Sequence, residues 1–397
     1  VYWGSFSGKN REAEEALVNK FNTEQSDVYV EYQNQGNYEE TAQKLTAALQ
    51  ARTTPDVSIL SDVWWFKFYL AKALQPLDDL YGGADIDTSD YVQALFTEGV
   101  RNGASYWVPF ARSTPLFYYN KDIWAEAGLP DRGPETWDEF VEWTPKLVKK
   151  DGNTLTRAAF VHPGAASYNA WLFQGMTWQF GGQYSREFEM TMTDPNTVAA
   201  GQFYGDTVNK DGWAKFSPDE VKEFVSGGAA AAIMSTGSMG GLLRDAPFAL
   251  GTAFLPKKDQ FGCCTGGAGM AILANLPPEK QQAAMRWIAF ATNPENTTFW
   301  SKNTGYMPVR TSAVESDEMQ QYFEENPTFK TAVDQLPQTK PQDAARVFVP
   351  GGDQIIGKGL EQIVVNKQDP AAAFEQVNNQ LTQAAQPVIQ SLKQVEG

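Results

Sequence analysis

The fourteen residues "SYNAWLFQGMTWQF", 167–180, contain two tryptophans, two phenylalanines and a tyrosine with polar and glycine positions between them. Rings so spaced either pack into a core or present flat faces to a ligand. An indole face attracts a cation by ~0.5–2 kcal/mol, depending on desolvation. Side chains for covalent chemistry are sparse by comparison. The chain has one histidine, His162, and two adjacent cysteines, Cys263 and Cys264. A disulfide between neighbours closes a strained ring and staples no loop, so the pair reads as two small thiols inside the fold. The sequence contains no GxSxG, HExxH or zinc-spaced Cys/His set, which argues against triad and zinc hydrolases. The absence of GxxxxGK[ST] excludes a P-loop ATPase. Forty-eight acidic residues leave a carboxylate-pair glycoside hydrolase as the enzymatic alternative. Neither a cofactor nor a metal site is expected.

The elements that position these groups require space. At 397 residues the chain exceeds the roughly 250–300 at which one core stops growing, so two domains with a cleft between them are expected. Aromatic residues make up 13%, with twelve tryptophans, more than packing usually requires. The net charge of −16, without a basic cluster, disfavours nucleic acid and anionic membrane surfaces. No run of ~18 apolar residues suggests a membrane-spanning helix. The row opens on "VYWGSFSGKN" without a basic segment and an apolar one after it, and we expect any signal peptide to have been removed.

"VYWGSF", "VYVEYQNQ" and "PDVSIL" read as strands separated by the helical spacings of "NREAEEALVNKFNTEQ" and "YEETAQKLTAALQART". This β-α-β-α-β order predicts a parallel sheet, with ligands expected beyond the carboxyl ends of its strands, near "QGNYEE" and "LSDVWW". "SYWVPFARSTPLFYYNKDIWAEAGL" reads as strand, turn, strand and helix, closed by Gly128. In "TWDEF", Thr136 begins a capped helix. "SGGAAAAIMSTGSMGGLL" and "FGCCTGGAGMAIL" resemble strand-to-helix turns with close backbone approach. The segments 279–303, 353–365 and the polar amphipathic tail after Asp369 read as helices.

Several of these phrases occur in a telling order: "GNYEE", "PDVSIL", "VPFARSTPLFYYNKDIWAEAGLP", "TWDEF", "MSTGSMGGL", "TGGAGMAI", "AFATNPENTTFWSKNTGYMPVR" and "ARVFVPGGDQII". Together they resemble the extracytoplasmic solute-binding proteins of ABC importers, and within them the glycerol-3-phosphate and glycerophosphodiester binders, including the mycobacterial lipoprotein. The resemblance implies an α/β, two-lobed periplasmic-binding-protein fold of the maltose-binding-protein type, closing on a ligand by a hinge motion. It places 1–111 and 247–302 in the first lobe and 116–242 and 308–397 in the second, with crossovers near 112–115, 243–246 and 303–307. It also implies a monomer outside the cytoplasm, held by an N-terminal lipid, that delivers glycerophosphocholine or glycerol 3-phosphate to membrane permease subunits. A neutral oligosaccharide is the alternative ligand.

The family's ligand positions fall on Tyr38, Asp62, Ser113, Ser238, Gly267, Tyr306 and Arg346, and the aromatic run contributes Tyr168 and Trp171. A phosphodiester monoanion suits the Arg346 fork together with hydroxyl and backbone N–H donors from Tyr306, Tyr38 and Gly267. Asp62 would accept from glycerol hydroxyls, supplemented by Ser113 and Ser238, and Trp171 would face a choline cation. Arg112 adjoins Ser113, so a shift of one residue would exchange a hydroxyl for a cation. Each residue also has a plainer use. Asp62 can cap the helix after it, Ser238 and Gly267 can serve as turn residues, and Phe173, Trp178 and Phe180 can simply pack.

Overall fold

The computed structural model describes residues 1–166 and 168–396. Ser167, the first residue of the aromatic run, lies outside them. Two sheets divide the chain. The first orders its strands Tyr32–Asn34, Tyr2–Gly4, Val57–Ser61, Gly266–Ile272 and Val108–Ser113. Its first three members pair in parallel, joined by helices Gly8–Glu24 and Tyr38–Ala51. Local chemistry fixes the second of these helices. The Asn37 side chain accepts from the Glu40 N–H and the Glu40 side chain reaches back to the Asn37 N–H, a reciprocal cap that starts the helix at Tyr38.

The second sheet runs Ala214–Ser217, Thr154–Pro163, Ala229–Ser235, Pro115–Asn120 and Leu250–Ala253. Thr136 caps helix Trp137–Leu147 through its hydroxyl, 3.0 Å from the Glu139 nitrogen, as its sequence position predicts. Helix Asn169–Gln179 is buried at every position. Its lack of a polar face explains why "SYNAWLFQGMTWQF" shows no amphipathic period.

Two expected boundaries are corrected. The chain does not return to the first lobe at 243–246, because Leu250–Ala253 pairs antiparallel with Pro115–Asn120 and satisfies the N–H and C=O groups of what would otherwise be the edge of the second sheet. The return runs through 254–265. Nor does the second lobe resume at 308. The Val92 N–H donates to the Val309 carbonyl at 2.9 Å, and Arg310 is 2.7 Å from Asp90, so both residues belong with the first lobe. The segment "TGGAG" is likewise a strand, not a strand-to-helix turn.

The crossings meet at Thr114. Its hydroxyl lies 3.0 Å from the Cys263 sulfur and 3.2 Å from the Cys264 carbonyl, and its own carbonyl accepts from the Thr236 N–H. One residue away, the Arg112 carbonyl accepts from the Met307 N–H at 2.8 Å. Both cysteines are buried and unpaired, and burial pushes the Cys263 thiol up to about 12, which keeps it protonated and unreactive. Helix Pro370–Val395 packs on the second lobe through Phe374, Val377 and Leu381, yet its far end reaches the first lobe, where Glu396 binds Arg101.

Candidate functional site

Several of the predicted residues meet in pairs, Asp62 with Arg346 and Tyr38 with Tyr306. Asp62 follows strand Val57–Ser61, and its N–H donates to the Gly267 carbonyl at 2.9 Å. Gly267 pairs with Arg112 across the strands and sits at φ +103°. A Cβ there would come within 2.1 Å of the Ala111 carbonyl oxygen, so only glycine allows the strands this approach. The plainer reading of Gly267 as a backbone device therefore holds alongside its place in the site.

Tyr38 and Tyr306 meet hydroxyl to hydroxyl at 3.2 Å. Burial raises both phenol pKa values, so the hydroxyls remain neutral donors at any physiological pH. The Tyr306 ring lies parallel to Trp300 and over Gly237 of the second lobe, where a side chain would collide with it. Tyr168 stands before helix Asn169–Gln179, and burial raises its phenol pKa. Trp171 is 5% exposed and crosses the lobe boundary. Its Nε1–H donates to the Thr265 carbonyl at 3.0 Å, its indole edge abuts Gly266, and the Tyr168 ring meets it edge-on at 5.8 Å. Ser113 ends strand Val108–Ser113, buried, beside the Thr114 crossing.

Arg346, on the short helix Ala344–Val347, is 6% exposed. Its Nε donates to Asp353 at 2.6 Å, its Nη1 donates to Gln342, and the same Nη1 lies 3.7 Å from the Asp62 carboxylate across the cleft. Burial opposes its charge, but Asp353 and Asp62 more than offset that and raise its pKa. Asp62 also accepts from Gln342 at 2.5 Å and, through its other oxygen, from the Val63 N–H at 2.9 Å. Asp62 thus serves as a turn anchor and as a partner in the cleft at once.

Some residues near these were not placed with them from sequence, where Arg112 entered only as the register alternative to Ser113. Glu98 lies 2.7 Å from Arg112 Nη2 and accepts from the Thr265 hydroxyl at 2.6 Å. Arg112 is fully buried over the Trp107 ring, and its Nε and Nη1 have no hydrogen-bond partner among the described residues. A charged residue inside the apolar strand "VPFARS" was the available signal. Gln342 and Asp353 carried none. His162, in contrast, is structural. Buried, with Nε2 2.9 Å from the Thr207 hydroxyl, it is pushed down to about 3 and stays neutral.

Two α/β lobes joined by crossing strands, with polar and aromatic side chains meeting between them, define a ligand-capturing hinge protein. Residues 16–331 match the bacterial extracellular solute-binding proteins, and the chain belongs to that family. Among solved structures, UgpB from Mycobacterium tuberculosis in complex with glycerophosphocholine is 44% identical, with a TM-score of 0.93 over 98% of each chain. The sn-glycerol-3-phosphate-binding periplasmic protein UgpB of Pectobacterium atrosepticum is 25% identical over 400 residues, spanning 94% of this chain and 88% of that one. Maltose-bound MalE3 of T. maritima, 21% identical with a TM-score of 0.82 over 96% of this chain and 98% of that one, shares the fold. No helix among the described residues is long and apolar enough to cross a membrane.

Proposed function

We propose that this chain is the substrate-binding component of an ABC importer, capturing glycerophosphodiesters such as glycerophosphocholine, and glycerol 3-phosphate, outside the cytoplasm and delivering them to a membrane permease. The observation that carries this reading is the buried Arg346 fork, held by Asp353 and Gln342 so that it meets the cleft, with two neutral tyrosine hydroxyls within the same site. A phosphodiester monoanion needs such a fork plus neutral donors. Tyr168 and Trp171 form the aromatic wall, with Trp171 facing the choline cation, Ser113 and Ser238 supply hydroxyls, and Gly267 lets the backbone approach. The chain acts as a monomer that binds without converting its ligand, held at the outer face of the membrane by a lipid.

Phosphorus NMR of the protein with glycerophosphocholine tests this directly. Intact ligand with a raised melting temperature supports the reading, and released choline or glycerol phosphate overturns it. Calorimetry against maltose separates it from the oligosaccharide alternative.

A further inference from the structure

At the edge of the second sheet lies a groove of about 760 Å³. Tyr119, Thr252, Phe254, Leu255, Phe261 and Gln338 help to line it, and none of the residues assigned to the ligand cleft does. Its size falls among small-molecule pockets, which run from about 300 to 1,000 Å³. At about 30 Å³ per water-sized group it has room for roughly 25 non-hydrogen atoms, the bulk of two sugar rings.

The backbone around it favours a compact occupant. Leu250–Ala253 is an edge strand, and the Lys121 N–H donates to the Ala249 carbonyl at 2.9 Å. The alternation of an antiparallel ladder then turns the Thr252 N–H and C=O off the sheet edge. A peptide strand adding there would run into a wall, because the Lys257 N–H donates to the Glu135 carbonyl and the Trp137 N–H to the Lys257 carbonyl, each at 3.0 Å. These bonds close one end of the groove. Phe254 and Phe261, both half-buried, face it with ring centroids 6.3 Å apart and planes tilted by 54°, a bent apolar platform.

The charges on the lining favour a neutral one. Asp131 is held by Lys121 at 3.0 Å and by the Tyr119 hydroxyl at 3.1 Å, and Arg132 by both oxygens of Glu139. Glu135, Lys257 and Asp259 are exposed, and their side chains have no partner among the described residues. An anion meets the two free carboxylates and a cation the free ammonium, whereas a neutral molecule rich in hydroxyls hydrogen-bonds to both kinds of group. We propose that the groove is a second ligand site, for a neutral oligosaccharide of about two pyranose rings. The C–H faces of its rings lie on Phe254 and Phe261, and its hydroxyls reach the Thr252 backbone, Glu135, Asp259 and Gln338. The same chemistry is offered by a free sugar and by the end of a glycan chain. This inference does not depend on what the cleft holds.

Calorimetry of the full chain with maltose, cellobiose and trehalose tests this, with and without saturating glycerophosphocholine, beside co-sedimentation with insoluble starch and cellulose. We expect at least one of these probes to bind, a disaccharide with a Kd below about 10 mM, whether or not glycerophosphocholine is present. Phe254→Ala and Phe261→Ala should each weaken it at least about tenfold and leave glycerophosphocholine affinity unchanged. Disaccharide binding supports the free sugar as the source, and co-sedimentation alone supports the glycan end. Binding of none of the probes overturns the inference, as does displacement of the sugar by glycerophosphocholine, which would place it in the cleft. Undiminished sugar binding in both alanine variants also overturns it. So does binding of a hexapeptide of alternating threonine and valine without any saccharide, which would make the groove a strand-addition site. If the alanine variants do not fold, Gln338→Trp fills the groove from an exposed position on its lining and should abolish sugar binding; full binding there overturns the inference. Should glycerophosphocholine fail to bind the wild type, the reading of the cleft falls, and the groove variants still decide this one.

Discussion

Arg346 of the second lobe stands 3.7 Å from Asp62 of the first, with its Nε held at 2.6 Å by Asp353 on its own side. The lobes are therefore in electrostatic contact through the side chain best suited to hold a phosphate. In the proposed site, one guanidinium would both capture the ligand and join the lobes, which would couple binding to closure.

Replacing Arg346 by alanine leaves two carboxylates without their cation. We expect binding of glycerophosphocholine and glycerol 3-phosphate to be abolished in calorimetry. Because the side chain is almost wholly buried, we expect a stability loss of about 3–5 kcal/mol by urea denaturation. Arg346→Lys keeps the charge without the planar fork and should fall between wild type and alanine for binding.

The tyrosine hydroxyls predict a coupled pair. Tyr38→Phe and Tyr306→Phe should each weaken a phosphate ligand by about 1.5–3 kcal/mol if each donates to the anion. With the oxygens only 3.2 Å apart, the double variant should lose less than the sum. Additive losses would show that the two hydroxyls act independently.

Glu14 predicts an unusual pH dependence of stability. It is fully buried, accepts from the Tyr2 and Tyr32 hydroxyls at 2.5 and 2.6 Å, and is raised to about 7 by burial, which those hydrogen bonds only partly offset. The folded chain thus holds this proton more tightly than the unfolded one. Its contribution is fully present below about pH 4.5 and is lost as pH rises through about 7. Glu14→Gln should remove that slope, on the order of 2–3 kcal/mol, in urea titrations compared at pH 5 and pH 8. A slope unchanged in the variant would place the proton elsewhere.

Gly267→Ala should destabilise the first lobe, since the new Cβ meets a carbonyl oxygen at 2.1 Å and φ is +103°. A cost of about 2–4 kcal/mol is expected in thermal unfolding. Calorimetry should also show weakened binding, because the strand that carries Gly267 accepts the Asp62 N–H.

Much of this was legible in the sequence for local reasons. Alternating strands and helices announced the first sheet, Thr136 marked a helix start, and Gly128 at φ +64° marked a stop. Other features depended on contacts distant in the chain. Nothing in "LGTA" says that 250–253 completes the second sheet, since its partner lies more than 120 positions earlier. The roles of Gln342, Asp353 and Glu98 arise only where the lobes meet, and a single glutamine or carboxylate has no period to reveal it. Within the aromatic run, the family resemblance separated Tyr168 and Trp171 from Phe173 and Trp178. The structure buries the whole helix and distinguishes Trp171 by its reach to Thr265.

Glu396, at the end of the last helix, grips Arg101 and Tyr69 of the opposite lobe. That helix is rooted in the second lobe through Phe374, Val377 and Leu381, while Val388, Leu392 and Val395 of its last turns pack beside Phe66 and Tyr69 of the first, so it bridges the two lobes. Lys393, exposed one turn from the tip, offers an attachment point for an environment-sensitive dye outside the cleft. A chain labelled there would turn lobe separation into an optical signal, making the protein a reagentless sensor for whatever it captures.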